Sequence, residues 1–402
     1  MLRRGMQITF ITVAILILTG CWNRKELNEL SITTALGFDK NKDKDGYHVS
    51  VQLINPSEIA AKNAGSQRLP VVTLQIGTER TIFESIRELT RSTPRKIYTS
   101  HLRILVIGEE LAREGIAKVL DGLSRDHEMR TDFYIIVAKN TTANEVLEIL
   151  TPLEKIPANK LFSSLETTEN SWGASSKVDL HQLIFDLVDK GKDPVLAGIR
   201  IKGNPRLGHT RANLDSATPP TVLEYQNLAV FRKDKLVGWL NSKESKGYNY
   251  IQGNIKSTIV RVSCPDGGNL NVELLKTHHK IKGRIVNGHP EVDVSVRAEG
   301  NIGEVECMMK LGTDRSISII EKKVRAEIKG TMQQAVRKAK KYQSDIFGFG
   351  TAIHRANYKV WSQLQDHWEQ EFVDLPVHIT VRVKIRRTGS VVESFLERMG
   401  GS

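Results

Sequence analysis

The sequence is poor in cysteine and, beyond its amino terminus, in long apolar runs. Cys21, Cys264 and Cys307 are the only cysteines among 402 residues. With so few, and with no Cys-x-x-Cys pair, neither a disulfide-rich scaffold nor a cysteine-based zinc framework is expected. No stretch after Leu18 is apolar over the ~20 residues that a bilayer-spanning helix needs. We therefore expect a water-soluble body, with two or three domains at this length.

The motifs of common catalytic sites are also missing. Gly-x-Gly-x-x-Gly and the Walker pattern, which bind phosphates, do not occur. Gly348 and Gly350 lie between two predicted helices rather than after a strand, which favours a turn. Arg125-Asp126-His127-Glu128 holds acid–base groups, but no nucleophile or oxyanion donor accompanies them. We interpret this run as a polar helix end, in which Arg125, Asp126, Glu128 and Arg130 could pair and lock the helix to the next strand.

The histidines give no joint metal site. His278 and His279 are adjacent in a predicted strand, so their side chains point to opposite faces. His101 precedes an apolar strand, and we place it at the edge of the core. We therefore predict no catalytic residue, no cofactor and no metal, and we expect that the protein is not an enzyme.

Acidic residues are outnumbered by basic ones. Lys and Arg number 58 against 46 for Asp and Glu, which gives a formal charge of +12. On an exported protein this excess suits an anionic lipid surface or an acidic partner, and no nucleic-acid motif accompanies it. One predicted helix is strongly basic opposite its apolar row, at Lys322, Lys323, Arg325, Lys329, Arg337, Lys338, Lys340 and Lys341. That face could contact lipid or an acidic partner, but the narrow apolar row favours a solvated face on a helix packed over a sheet.

The amino terminus has the layout of a lipoprotein signal. Arg3 and Arg4 precede an uncharged stretch from Ile8 to Leu18, and Thr19-Gly20-Cys21 follows. Small residues fit a peptidase pocket, and the thiol of Cys21 is the nucleophile that takes up diacylglycerol. We predict a cleaved signal peptide at 1–20 and lipid attachment at Cys21. The alternative is a plain signal peptide or membrane anchor with a chance cysteine.

The other two cysteines, Cys264 and Cys307, lie in predicted strands. They could form one disulfide outside the cytoplasm, but only if they lie close together in the fold. The sequence does not decide this point, and we favour two buried free thiols.

Strand and helix patterns alternate from residue 21 to residue 194, which predicts an α/β-like N-terminal domain with a mixed sheet. Lys190-Gly191-Lys192-Asp193-Pro194 is a helix stop and a domain boundary. Residues 195–256 predict a small mixed middle domain. Residues 257–395 predict an antiparallel meander of four strands, two long helices and a final strand with a basic open face. The fold class is α+β and multidomain, with mixed and antiparallel sheets flanked by helices.

Short motifs follow one another in a specific order along nearly the whole mature chain. They are Cys21-Trp22-Asn23-Arg24-Lys25-Glu26-Leu27, Ser100-His101, Gly108-Glu109-Glu110-Leu111-Ala112, Arg125-Asp126-His127-Glu128-Met129-Arg130, Leu236-Val237-Gly238-Trp239-Leu240, Glu244-Ser245-Lys246-Gly247, Asp345-Ile346-Phe347-Gly348-Phe349-Gly350 and Arg386-Arg387-Thr388-Gly389. Their order and spacing resemble the Ger(x)C-type lipoproteins, the C subunits of nutrient germinant receptors in endospore-forming bacteria.

The resemblance implies a non-enzymatic, three-domain α+β lipoprotein on the outer face of the spore inner membrane. It also implies assembly with two integral membrane subunits in a complex that senses nutrients and triggers germination. A lipid-tethered solute-binding protein that captures the nutrient directly is the alternative. A cell-envelope hydrolase using His101, Asp126 and Glu128 is the third hypothesis.

Overall fold

The computed structural model describes residues 3, 5–7, 26, 29–43, 45–60, 70–264, 267–307, 311 and 313–387. Cys21, the predicted lipid attachment site, lies outside the described residues, as do most of the predicted signal peptide and the tail after 387. Within the described ranges, two sheets are flanked by helices, which confirms the predicted α+β class.

Thirteen strands are found in the described part of the chain. They are β1 (Leu30–Lys40), β2 (Tyr47–Ile54), β3 (Val72–Glu79), β4 (Lys96–Tyr98), β5 (Ile104–Gly108), β6 (Tyr134–Ala138), β7 (Val195–Gly203), β8 (Thr221–Arg232), β9 (Lys235–Leu240), β10 (Thr258–Ser263), β11 (Asn269–Val286), β12 (His289–Val305) and β13 (Val377–Arg387).

The helices that matter for the fold are numbered in the same way. They are α1 (Pro56–Ala60), α2 (Ile82–Glu88), α3 (Glu109–Glu114), α4 (Ala117–Ser124), α5 (Ala143–Glu148), α6 (Pro157–Ser171), α7 (Leu180–Val188), α8 (Pro205–Gly208), α9 (Ala212–Asp215), α10 (Ser242–Gln252), α11 (Asp314–Tyr342), α12 (Phe349–Ala356), α13 (Tyr358–Leu364) and α14 (Trp368–Asp374).

The larger sheet has nine strands, in the order β3-β2-β1-β5-β6-β7-β8-β9, with β4 also pairing with β1. Strands β1, β5, β6 and β7 are parallel neighbours, and the outer strands are antiparallel. Strand β5 is buried along its whole length, as expected for a parallel strand covered on both faces. The mixed sheet predicted for the N-terminal stretch is therefore present.

Strands β7 to β9 come from the stretch predicted as a small middle domain, 195–256. They extend the nine-stranded sheet, because β7 pairs with β6 and β8 pairs with both β7 and β9. The domain boundaries at 194 and 256 stay predictions; the hydrogen bonding establishes that the middle stretch shares its sheet with the N-terminal stretch.

The apolar spacing from Glu109 to Arg125 predicts a single helix, and this prediction is wrong, because two helices, α3 and α4, occupy the stretch. The chain turns at Gly115, whose φ of 139° favours glycine. After the turn, Asp234 accepts hydrogen bonds at the start of α4: its carbonyl from Ile116 N at 3.0 Å and its carboxylate from Ala117 N at 3.3 Å. A residue distant in sequence therefore ends one helix and begins the next.

The smaller sheet has the order β10-β11-β12-β13. The meander has three strands rather than the predicted four, because β11 runs unbroken for 18 residues. A register shift between Leu274 and Lys276 keeps its apolar side chains inward where two strands were predicted. Strand β13 pairs with β12 in parallel, which differs from the predicted antiparallel sheet.

Helix α11 covers the inner face of this sheet with the predicted row of apolar side chains, including buried Ile320, Val324 and Ile328. The second predicted helix, 351–371, is divided into α12, α13 and α14. The first division occurs at Asn357, whose side chain accepts a hydrogen bond from Val360 N at 3.1 Å and so begins α13.

Cys264 and Cys307 form a disulfide, so the prediction of two free thiols is wrong. Both follow strands that flank β11, at the end of the sheet where β11 begins. Backbone hydrogen bonds hold the two chain segments there, with Cys264 N donating to Gly268 O and Glu306 N to Asn269 O. Sheet pairing, which the sequence separation of 43 residues does not reveal, brings the two sulfur atoms together.

One apolar core joins the two sheets. It includes Ile136 and Val230 of the larger sheet, Val294 of the smaller sheet and Val324 of α11. A second core lies on the other side of the larger sheet, beneath α4 and α7. Across the described residues, no helix combines the length and the apolar character needed to cross a bilayer.

Candidate functional site at the junction of the two sheets

The two sheets meet where two chain connections cross, and we name this region the junction. The first connection, 189–194, leads from α7 to β7, and the second, 343–350, leads from α11 to α12. Gly191 and Gly350 touch through their backbones, since a Cβ built on Gly350 would lie 2.7 Å from Gly191 Cα. The junction therefore consists of residues that the sequence places about 150 positions apart.

Asp345 is the centre of the junction, and its side chain is 2% exposed. One carboxylate oxygen, Oδ1, accepts hydrogen bonds from Phe347 N and Phe349 N, both at 3.1 Å. The other, Oδ2, accepts from Gly350 N at 2.8 Å and from the indole Nε1 of Trp368 at 2.9 Å. A single buried carboxylate thus shapes the 345–350 turn and fastens it to α14.

Glycines make this turn possible. Gly348 has a φ of 73°, the left-handed conformation that glycine adopts without a steric penalty. Gly350 lies between Gly191 and the Trp368 ring, where a side chain has no room. The predicted turn at Gly348 and Gly350 is therefore present, and its glycines serve close backbone approach.

Asp193 joins the two connections directly. Its Oδ2 accepts from Asp345 N at 3.0 Å, and its Oδ1 accepts from Lys233 N, in the β8–β9 turn, at 2.8 Å. Its own N–H donates to Asp345 O at 2.9 Å. In addition, Ser344 Oγ donates to Phe231 O at 2.6 Å, so the connection after α11 is bonded to β8 as well.

Burial sets the protonation behaviour of these two acids. Desolvation raises the pKa of Asp345 to about 7, although the N–H donors of Gly350, Trp368 and Phe349 act in the lowering direction. Desolvation likewise raises the pKa of Asp193 to about 6, against the lowering effect of its backbone donors. The charge of Asp193 also raises the pKa of Asp345, and the charge of Glu369 raises the pKa of Asp193.

A cleft of about 800 Å³ opens beside the junction, between α4, α7, the β8–β9 turn and the segment 365–370. Ion pairs cross it from one sheet unit to the other. Lys190 lies 2.9 Å from Asp366, and Lys233 lies 3.1 Å from Glu369. Its charged groups thus join the two units, and the cleft shows no nucleophile beside a base.

A second crevice, of about 930 Å³, lies where β1, β5 and β6 end at one edge of the larger sheet. Open α/β sheets commonly bind ligands at such carboxyl ends. Here Asp39 accepts from Ala143 N at 2.8 Å and Asn144 N at 2.9 Å, which satisfies the start of α5. Lys40, Lys42 and Arg113 in the same crevice each form an ion pair with a glutamate of α3.

The structure does not bring the sequence-predicted polar residues together. Arg125 pairs with Asp121, Glu128 with Lys96 and Arg130 with Asp132, so the predicted network among 125, 126, 128 and 130 is wrong. Arg125 and Asp121 form an i to i+4 pair on α4, whereas Glu128 pairs with Lys96 of β4.

The predicted histidines are also apart. His101 is exposed and lies edge-on to Tyr98, outside the core edge predicted for it. His278 and His279 sit on opposite faces of β11, as expected, and His279 packs against Gly253. Among the described residues, no group of three His, Cys, Asp or Glu side chains could hold a metal ion.

Sequence reasoning missed both acids of the junction. Asp345 precedes Ile346 and Phe347, and an acid placed directly before a run of apolar and glycine residues is the signal that could have marked it. Asp193 lies in the predicted helix stop and has no signal of its own.

Comparisons with known proteins cover almost the whole chain. A family model described as "Spore germination protein N-terminal domain" matches residues 23–201, and one described as "Spore germination B3/ GerAC like, C-terminal" matches residues 226–389. Spore germination protein KC of Bacillus subtilis is 32% identical over 398 residues, which cover 97% of each chain.

Two further comparisons agree with these matches. Spore germination protein B3 of Bacillus subtilis is 24% identical, over 94% of this chain and 96% of its own. A solved structure titled "Crystal Structure of the GerBC protein" matches with a TM-score of 0.52 at 20% identity, over 87% of this chain and 96% of its own, and so has the same fold. The chain belongs to the GerAC-like family of spore germination proteins.

Proposed function

We propose that this chain is the lipid-anchored, non-enzymatic C subunit of a nutrient germinant receptor. Diacylglycerol on Cys21 holds it on the outer face of the spore inner membrane, where it assembles with two integral membrane subunits. The match to a spore germination protein over 97% of both chains is the observation that supports this most directly. The signal-like leader ending at Cys21 supports the membrane address.

The junction gives this subunit a structural role in the proposal. Asp345 and Asp193 tie both sheets together through main-chain hydrogen bonds, and one apolar core continues beneath them. A body held in this way moves as a unit, so a contact that displaces one sheet also displaces the other. The subunit would then stabilise or couple the membrane complex rather than perform chemistry.

Gene deletion tests the proposal. Spores without this chain are expected to lose the response to a particular nutrient and to keep germination by non-nutrient triggers. Expression of the wild-type chain in the deletion strain is expected to restore the nutrient response. A nutrient response that persists after deletion, in spores without a paralogue, would contradict the receptor role.

The anchor has its own test. Cys21→Ala is expected to lower the amount of chain in the spore membrane and the recovery of the membrane subunits with it, because a tether raises local concentration. The double variant Cys264→Ala with Cys307→Ala, which keeps Cys21 and leaves no thiol freed from the disulfide, is the control for cysteine loss. Normal membrane retention and germination with Cys21→Ala would show that protein contacts alone suffice.

Direct nutrient capture is the second candidate, favoured by the crevice at the ends of β1, β5 and β6. Calorimetry of the full chain with amino acids, sugars and nucleosides separates it from the first proposal. Micromolar binding without the membrane subunits would support capture, and binding that Asp39→Ala removes would locate it in this crevice. No heat above buffer for any of these nutrients would exclude it.

A further inference from the structure

The outer face of the smaller sheet is strongly basic and uncovered by the described residues. Strands β11, β12 and β13 alternate, so that Val294, Val381 and Val383 point inward and are buried while their neighbours point outward. We name the outward side chains of 276–284, 291–299 and 378–386 the basic face. Eight of them are Lys or Arg and three are Glu or Asp.

Each acid of the basic face already forms a salt bridge with an arginine of the same face. Arg284 lies 3.0 Å from Glu291 and 2.8 Å from Asp293, and Arg386 lies 2.8 Å from Glu299. Lys384 reaches Glu321 of α11 at 3.7 Å. Within the described ranges, five exposed cations on this face have no salt bridge: Lys276, Lys280, Lys282, Arg297 and Arg382.

Like charges are even placed opposite one another. Arg297 of β12 is the register partner of Arg382 of β13. Directly opposed like charges destabilise a sheet. Lys276 and Lys282 are register partners of Glu299 and Asp293, but Arg297 and Arg382 oppose each other and form no salt bridge with a described residue. This opposed pair costs folding energy, which indicates a function, and its charge indicates an anionic partner.

The shape of the basic face favours a broad surface as that partner. Sheet side chains repeat roughly every 4.8 Å across strands and roughly every 7 Å along them, so the cations form a flat array rather than an enclosed pocket. The opposite side of the sheet is packed against Ile320, Val324 and Ile328 of α11. The array is therefore held rigid from behind.

The side chains of the basic face indicate whether its partner is a lipid surface or a protein. All outward positions of 276–284, 291–299 and 378–386 are charged or polar, without one aliphatic or aromatic side chain. Protein interfaces concentrate their binding energy in buried aromatic and apolar anchors, which this face lacks. Phosphate headgroups require only cations that reach them, and Lys and Arg side chains do so on flexible stems.

We propose that the basic face lies on the headgroups of an anionic phospholipid bilayer and acts as an attachment additional to the lipid predicted at Cys21. This inference rests on the proposed function for the membrane address. A lipid anchor combined with a basic patch is a known form of two-part membrane attachment. The face would also fix which side of the body turns toward the membrane.

The basic side of α11 provides the matched control. Lys322, Arg325 and Lys329 are exposed on the side of α11 that points away from the sheet. Since α11 covers the inner side of the sheet, these cations and the basic face point in opposite directions and cannot both rest on one bilayer. Removing three charges from either surface changes the net charge equally.

The experiment measures how the full chain partitions between buffer and vesicles. One set of vesicles is phosphatidylcholine alone, and the other is equal parts phosphatidylcholine and phosphatidylglycerol. The ratio of the two partition constants cancels the apolar contribution of the acyl chains, and any contribution of the leader is the same in every variant. The sheet variant combines Lys280→Gln, Arg297→Gln and Arg382→Gln. Each basic residue at an anionic surface changes the partition constant about fivefold, so this variant is expected to lower the ratio on the order of 100-fold.

The helix variant, with Lys322→Gln, Arg325→Gln and Lys329→Gln, is expected to keep the wild-type ratio within a few-fold, and high salt is expected to remove the difference between the variants. Equal ratios for the two variants would overturn the proposal. So would a sheet variant with unchanged partition that no longer co-purifies with the membrane subunits, because the face would then bind an acidic protein. Both variants should show the wild-type unfolding transition.

This assay contains no receptor subunits, so its failure differs from failure of the proposed function. If the wild-type chain shows no preference for anionic vesicles, the lipid-docking proposal is refuted. The receptor role is then still tested by the gene deletion. Conversely, unchanged nutrient germination after deletion would refute the receptor role whatever the vesicles show.

Discussion

The junction and the basic face use charge in opposite ways. In the junction, buried Asp345 and half-buried Asp193 accept hydrogen bonds on both oxygens from groups that the chain itself supplies. On the basic face, Arg297 and Arg382 are exposed and opposed, and no described residue forms a salt bridge with either. The first arrangement stabilises the fold, whereas the second costs stability.

This difference indicates where each region acts. A buried polar group persists only when its partners are satisfied, so a carboxylate with four donors is a structural fastening. An exposed set of like charges has no such requirement and persists when something outside the chain neutralises it. Substitutions in the two regions should therefore change stability in opposite directions.

The largest effect is expected for Asp345→Ala. It leaves the N–H groups of Phe347, Phe349, Gly350 and Trp368 without their acceptor in a buried site. Unsatisfied buried donors cost roughly 1–3 kcal/mol each, so we expect the free energy of unfolding to fall by about 5 kcal/mol. Chemical denaturation followed by tryptophan fluorescence measures this.

Glu369→Ala is the matched control, since it removes a carboxylate of the same cleft whose partner, Lys233, is largely exposed. It should change stability little. Equal losses for Asp345→Ala and Glu369→Ala would show that the junction is no more than a set of surface charges.

The second expected effect is on how the free energy of unfolding depends on pH. Burial raises the pKa of Asp345 to about 7 and that of Asp193 to about 6, from 3.8. The folded chain therefore binds more protons than the unfolded chain between pH 4 and pH 7. The stability from these groups is complete below about pH 4 and is lost as the pH rises to about 7.

Comparison with Asp345→Asn isolates this contribution, because the amide does not titrate. The difference in unfolding free energy between wild type and variant should shrink as the pH is raised from 4 to 7. A difference that grows with pH over this range would mean that the four donors outweigh desolvation and that the carboxylate is charged in the fold.

Gly350→Ala should have a smaller effect. A Cβ at this position would lie 2.7 Å from Gly191 Cα and 2.8 Å from the Trp361 ring. Overpacking of this kind costs about 2 kcal/mol. Gly330→Ala on α11 is the control, because nothing lies within 4 Å of a Cβ built there and alanine favours a helix. If both glycine variants lose stability, the close backbone approach at the junction is not the cause of the loss.

Much of the fold follows from apolar patterns in the sequence. The buried runs of β5 and β6 and the four-residue spacing of Ile320, Val324 and Ile328 predict their elements directly. Helix α10 was missed because it packs Gly247 against α11, where an added Cβ would meet Thr331 O at 2.3 Å. Small residues in close helix contacts give no hydrophobic period.

The candidate site was harder to predict than the elements around it. Asp193 and Asp345 meet only because one follows α7 and the other follows α11, and sequence patterns do not give the pairing of distant connections. The disulfide between Cys264 and Cys307 depends on strand order in the same way. The basic strand β13 was predicted by alternation, but its opposition to Arg297 required the parallel register with β12.

The smallest effect is expected for Arg382→Gln, which tests most directly whether charge on the basic face costs stability while the acids of the junction provide it. It removes the like-charge opposition with Arg297 while keeping a long polar side chain in β13. Relief of one opposed pair should raise the free energy of unfolding by about 0.5 kcal/mol, and less at high salt. Arg386→Gln is the control with the opposite sign, because it breaks the pair with Glu299. If both substitutions lower stability, the cations of this face are satisfied within the chain, and no anionic surface is needed to account for them.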